Sequence, residues 1–284
     1  MAPRTHEQFV ADQTGPVRAV VSADLSGKTL VLTGANTGLG FEAAKHFRND
    51  EPCTAGTDCE RWKIQAETGY TRAEFWILDL ANFDSVVAFA DRIDQELERL
   101  DILVENAGIA TWDYEQVEWV GENCIRSIQG LLSFASDVHY RTTIERDVIS
   151  SPGILAKLSD KEYCTEEVMK HRYLDSKLLN VLFTRALQLH VPSSEAITVN
   201  SVNPWTLRNI LRQRREQFAF TTEEGSRQLV YGAVGSLNDE EKLRGKYIRM
   251  SEVVEESDFE EMLEILGKID PKVSEVAHMY LAKA

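Results

Sequence analysis

Cysteine is scarce, with four residues in 284, no CxxC pair and no zinc-type spacing between Cys53 and Cys59. That excludes a disulfide framework and a structural metal site, and it suits reduced thiols in the cytoplasm. No run of about 18 apolar residues occurs, so no membrane-spanning helix is expected. Met1 to Pro16 lacks the apolar core of a secretory signal. Positive charge is in deficit: Lys plus Arg number 31 against 46 Asp plus Glu, a net charge of −15. Such a chain repels phosphate backbones, which excludes nucleic acid as the expected partner. Internal repeats, low-complexity tracts and clear linkers are also missing. We therefore read residues 25–284 as one domain behind a peripheral N-terminal arm, 1–24. What is present is an ordinary globular balance, 43% apolar and 27% charged, enough for a sizeable core.

Short apolar runs alternate with helical patterns. Lys28 to Thr33 reads as a buried strand that runs into glycines, and Phe41 to Phe47 as a helix. Phe75-Trp76-Ile77-Leu78 reads as a second strand ending at Asp79. Asp84 is a candidate cap for a helix striped by Val86, Val87, Phe89, Ala90, Ile93 and Leu97. Asp101 to Val104 and Ala196 to Val202 read as further strands, and Thr222-Glu223-Glu224 as a helix start. Residues 251–284 are acidic and helical in pattern, with an apolar face of Phe259, Met262, Leu263 and Leu266. That face packs on the sheet or forms a contact between copies, so homo-oligomerisation stays open. This order predicts an α/β fold with a parallel sheet covered on both faces.

Chemistry concentrates in two places. The first strand feeds Thr33-Gly34-Ala35-Asn36-Thr37-Gly38-Leu39-Gly40 and then a helix. Glycines let the backbone turn sharply and approach a ligand closely, and the helix start offers N–H groups and a positive dipole end to a pyrophosphate. The second place is Tyr173-x-x-x-Lys177 in a helical segment, a spacing that puts both side chains on one face. A phenol titrates near 10 in water, and an adjacent ammonium is expected to pull it toward working pH.

Thr-Gly-x-x-x-Gly-x-Gly, followed by Asp79-Leu80, Asn106-Ala107-Gly108 and Tyr173-x-x-x-Lys177 in that order, resembles the short-chain dehydrogenase/reductase family. The wording around Ser176 to Arg185 is similar to its retinol-dehydrogenase-like branch of fungal type. The resemblance spans roughly residues 25–250 and implies a doubly wound parallel sheet, the Rossmann fold. It implies NADP as cofactor, NAD remaining open, with Gly34, Gly38, Leu39, Gly40, Asp79, Asn106, Tyr173 and Lys177 toward the dinucleotide and no metal. It further implies a catalytic set of a serine, Tyr173 and Lys177, the serine orienting the substrate carbonyl. Ser136, ending an apolar stretch from Leu131 and opening Ser-Asp-Val-His-Tyr, is the better match. Ser151, after Val148-Ile149-Ser150, is the alternative.

The chain also departs from the family. No second strand is visible between Arg48 and Tyr70, and Arg61 is the candidate for the cofactor 2′-phosphate. The interval from Gly108 to Ser136 is short for a central helix and a strand. Asp113 is its candidate cap, Val117, Val120, Cys124 and Ile128 its apolar stripe, and Asn123 the only match to an active-site asparagine. Pro204-Trp205 stands where the family has Pro-Gly, and a basic loop follows with Arg208, Arg212, Arg214 and Arg215. Two functions are therefore expected. The first is an NADP(H)-dependent oxidoreductase interconverting an alcohol and a ketone or aldehyde on a small lipophilic substrate, in fungal secondary metabolism. The alternative is a non-catalytic, truncated relative that has lost cofactor binding.

Overall fold

The computed structural model describes residues 15–47, 53–54, 64–69, 71–108, 130–204, 220–237 and 239–254, with isolated positions at 7, 11, 114 and 267. Among the described residues seven strands form one sheet. In chain order the main elements are β1 (Leu30–Leu32), α1 (Gly38–His46), β2 (Cys53–Thr54), α2 (Phe83–Glu96), β3 (Ile102–Glu105), β4 (Gly130–Phe134), α3 (Arg172–His190), β5 (Thr198–Asn203), α4 (Thr222–Val234), β6 (Tyr247–Arg249) and β7 (Glu252–Val254). The sheet order is β2-β1-β3-β4-β5-β6-β7, parallel except for β7, which runs antiparallel to β6. This is the doubly wound α/β architecture that the alternation of runs predicts.

Strand alternation sorts the core into two layers. Leu30 and Leu32 of β1 pack with Ile102, Val104, Val202 and Ile248, and with α1 and α4 through Ala43, Leu229 and Val230. The residues between them, Val31, Leu103 and Val199, face the other side and meet Phe89 of α2 and Leu178 and Leu182 of α3. Val31, Leu32 and Val104 have no exposed surface. Removing an apolar side chain of this size from water contributes about 1.5–3 kcal/mol, so the central strands anchor both layers.

Helix ends are set by local chemistry. The Thr221 side chain accepts from the Glu224 N–H and the Glu224 side chain returns to the Thr221 N–H, a capping box that starts α4. Asn82, not Asp84, caps α2, its side chain accepting from the Ser85 N–H. Within the arm, Val20, Val21 and Ala23 pack against the α1–α4 layer. Arg227 donates to the Arg18 carbonyl at 3.0 Å, and Arg18 pairs with Glu252.

Three expectations need correction. Phe75–Leu78 is not a strand; only Glu74 makes a bridge there. Trp76 is buried against Phe89, with ring centroids 5.9 Å apart, while Ile77 is 83% exposed, so the apolar run serves helix packing rather than a ladder. The stretch with no visible second strand does contain one, the two-residue β2 paired in parallel with β1. Val148 and Ile149 are helical, inside Arg146–Ile149, and not a strand leading to Ser151.

Candidate active site

β1 has β2 on one side and β3 on the other, so successive connections leave it in opposite directions. At such a switch point the strand ends open into a crevice. The turn after β1 lines it. Gly34 has φ +69°, and a Cβ there would lie 2.8 Å from the Ala107 Cα. A Cβ on Gly40 would lie 2.2 Å from the Gly34 carbonyl oxygen and 2.5 Å from Asn106 Nδ2. Only glycine permits this fold of the chain. Gly38 and Leu39 open α1, whose start has no side-chain cap and no acidic residue in its first turn. Its N–H groups are thus left for an anion.

Asn106 buttresses the turn. Its amide donates to the Thr33 and Gly34 carbonyls at 3.0 and 3.2 Å, while the Asn106 and Ala107 N–H groups donate to Thr33 Oγ1 at 3.1 and 3.0 Å. Asp79 is exposed ahead of α2, its carboxylate accepting from the Ala81 N–H at 2.9 Å.

Tyr173 and Lys177 lie one turn apart on α3, with Lys177 Nζ 5.4 Å from the Tyr173 ring centroid and 4.2 Å from that of Phe134. Lys177 donates to the Phe134 carbonyl at 3.3 Å, and Asn180 donates to the same oxygen at 2.7 Å. Two donors on the last residue of β4 fasten the helix face to the strand end. Burial pushes the Lys177 ammonium down to about 8. Burial also pushes the Tyr173 phenol above its ordinary value. The expected lowering of the phenol by its neighbour is therefore reversed: desolvation of both groups outweighs their attraction.

β4 ends at Phe134, two residues before Ser136, so the strand does not run to the serine as expected. Ser136 is extended (φ −160°, ψ 148°) and caps a 3-10 turn over Asp137–Arg141, its Oγ accepting from the Val138 N–H at 3.5 Å. Ser151 instead follows the helix Arg146–Ile149, and its hydroxyl donates to the Val148 carbonyl at 2.6 Å. The strand end that Lys177 and Asn180 bond thus leads to Ser136 and not to Ser151.

Two residues that sequence reasoning missed stand here. Asn180, three after Lys177, shares its face; the helical period was the available signal. Glu105 ends β3, paired across the ladder with Ser133. Alternation puts it on the side of Leu103, and both line a cavity of about 340 Å³ beside α2 that also takes in Lys177 and Asn180. Burial raises the Glu105 carboxyl to about 7. A carboxylate closing an otherwise apolar strand was the sequence signal. Arg61, Asp113, Val117, Val120, Asn123, Cys124, Ile128, Trp205, the four loop arginines and the apolar face from Phe259 to Leu266 lie outside the described residues. Among the described residues no group of His, Cys, Asp and Glu is placed to hold a metal ion.

Comparison with known proteins agrees with this layout. A family model described as short chain dehydrogenase matches residues 28–217. The chain is 30% identical to a short chain dehydrogenase/reductase, dmxR8, of Cryptosporiopsis sp. (strain 8999), over 82% of this chain and 84% of that one. It is 28% identical to the short chain dehydrogenase sol3 of Alternaria solani, over 76% and 87%. Among solved structures, a putative short chain dehydrogenase from Pseudomonas syringae superposes with a TM-score of 0.57 at 16% identity, covering 83% of this chain and all (100%) of that one. Salutaridine reductase from Papaver somniferum does so at 0.53 and 16%, over 78% and 99%.

Proposed function

Because the chain belongs to the short-chain dehydrogenase family, we propose that it is an NADP(H)-dependent oxidoreductase interconverting an alcohol and an aldehyde or ketone on a small lipophilic substrate. One observation carries this reading: Lys177, whose ammonium lies 5.4 Å from the Tyr173 ring centroid, is fastened to the Phe134 carbonyl at the end of β4, in the same sheet end as the glycine turn. The residues present fit a dinucleotide. The turn leaves no room for a Cβ at Gly40, and α1 begins without a cap, so backbone N–H groups of Gly38, Leu39 and Gly40 would meet the pyrophosphate. Asp79 and Asn106 would flank the rest of the dinucleotide, and Lys177 would hold the nicotinamide ribose hydroxyls. When bound, the nicotinamide supplies or accepts the hydride.

The chain's own groups handle the proton. Ser136 Oγ donates to the substrate oxygen and stabilises charge that develops there. Tyr173 Oη delivers a proton to that oxygen in reduction and removes it in oxidation. Burial holds the phenol above its ordinary value, so the side chain is available as a proton donor at neutral pH. The choice of NADP over NAD rests on the resemblance to the family branch. A cytoplasmic enzyme of specialised metabolism is the setting we infer from the sequence. Among the described residues no helix is long and apolar enough to cross a membrane.

The two-residue β2 favours a second reading, a non-catalytic chain with weakened cofactor affinity. Turnover separates the two. Tyr173→Phe should abolish NADPH-dependent reduction of a carbonyl panel while leaving the melting temperature within a few degrees. A variant that turns over like the parent would overturn the assigned mechanism.

A further inference from the structure

The Ser-Asp-Val-His-Tyr segment contains a histidine that the proposed chemistry does not use. His139 is completely buried, 0% exposed, between two tyrosines. Its ring lies 4.0 Å from the Tyr140 ring, tilted by 34°, and 4.8 Å from that of Tyr247, edge-on at 80°. Among the described residues Nε2 meets no hydrogen-bond partner. A buried polar atom left unpaired costs stability, and a phenylalanine would fill the same aromatic slot without that cost. The one thing phenylalanine lacks is Nδ1. That atom lies 2.6 Å from the Ser136 carbonyl oxygen. A carbonyl only accepts, so Nδ1 carries the proton and donates. The His139 backbone N–H reaches the same oxygen at 3.1 Å.

The next residue is held by β6. Asp137 accepts from the Tyr247 hydroxyl at 2.6 Å and faces Arg249 Nη1 at 3.5 Å, so β6 grips the segment just beyond Ser136. Ser136 is thereby fixed at its carbonyl and at its C-terminal neighbour. Among the described residues its Oγ only accepts, at the long distance of 3.5 Å from Val138 N, which leaves its O–H to donate elsewhere. We propose that His139 is a positioning residue: its Nδ1–H holds the Ser136 carbonyl and so fixes the direction in which the Ser136 hydroxyl is presented to a substrate oxygen. The proposal rests on the reading of Ser136 as the catalytic serine.

Three variants test it, assayed with NADPH and 4-nitrobenzaldehyde as the carbonyl probe, with NADPH affinity measured separately by fluorescence. His139→Phe keeps the aromatic slot and removes the donor; kcat should fall by about 10- to 100-fold, as for a reacting group misplaced by about an ångström, with the NADPH Kd unchanged. His139→Asn puts an amide donor near the Nδ1 position and should recover kcat to within a few-fold of the parent. His139→Gln puts its amide near the Nε2 position and should not. Should His139→Phe fail to fold, the Asn and Gln pair, equal in polarity, decides alone. Parental kcat in His139→Phe, or equal loss in Asn and Gln, would overturn the proposal while leaving the oxidoreductase reading intact. An inert parent would overturn that reading and this proposal with it.

Discussion

Replacing Glu105 by glutamine should change stability in a pH-dependent way. The side chain keeps its shape and loses its ability to ionise. Burial beside α2 raises this carboxyl from its ordinary 4.5 to about 7. The folded state therefore binds a proton that the unfolded state has released across that window, and stability falls as pH rises through it. At 1.36 kcal/mol per unit, the full span corresponds to about 3 kcal/mol, most of it between pH 5 and pH 8. Urea unfolding of both proteins at pH 5 and pH 8 reads this directly. The glutamine variant should match the parent within about 1 kcal/mol at pH 5 and exceed it by about 3 kcal/mol at pH 8. A difference that is the same at both pH values would refute the assignment of Glu105 as a desolvated carboxyl in this cavity.

Lys177 carries the opposite sign. Its pKa is depressed to about 8, so its charge opposes folding in full at pH 7 and ceases to as pH rises toward 10.5. Lys177→Met should raise unfolding stability at pH 7 by about 3 kcal/mol, lose that advantage by pH 10.5, and abolish turnover. Unfolding curves at the two pH values and a rate assay check both halves. Gly40→Ala would force a Cβ to within 2.2 Å of the Gly34 oxygen. It should cost about 2 kcal/mol or more and remove dinucleotide affinity, measured by titration of NADPH fluorescence.

The parts of the fold legible in the sequence are those where burial on both faces leaves an unbroken apolar run. β1 and β3 show this, as does the turn whose glycines the backbone demands, whereas β5 was legible from its β-branched Thr and Val rather than from apolar continuity. The 3.6-residue period likewise marked α2, α3 and α4. The rest depended on tertiary contact. Cys53 and Thr54 are too few for any strand signal, and only the ladder with β1 makes them a strand. Phe75 to Leu78 has strand composition, yet the Trp76 side chain is taken by Phe89 and by Arg92, whose guanidinium sits 4.0 Å from its ring centroid. Val148 and Ile149 are fully apolar and buried in a helix of four residues, too short for periodicity to speak. In the site, Tyr173 and Lys177 were legible from spacing, but the direction of their pKa shifts was not. Spacing reports proximity, whereas burial decided the outcome. Glu105 was missed in the sequence, and its meaning came from the cavity it lines.

The proposed oxidoreductase would hold a phosphorylated nicotinamide dinucleotide at this sheet end and use it. A melting curve of the purified protein with and without millimolar NADPH, and separately NADH, tests that most directly. A ligand that binds only the folded state stabilises it by about 2.7 kcal/mol at a hundred times its dissociation constant, a clearly visible shift. The account predicts an upward shift with NADPH larger than that with NADH. A cooperative melt that neither nucleotide moves would contradict it, and the non-catalytic reading would stand instead.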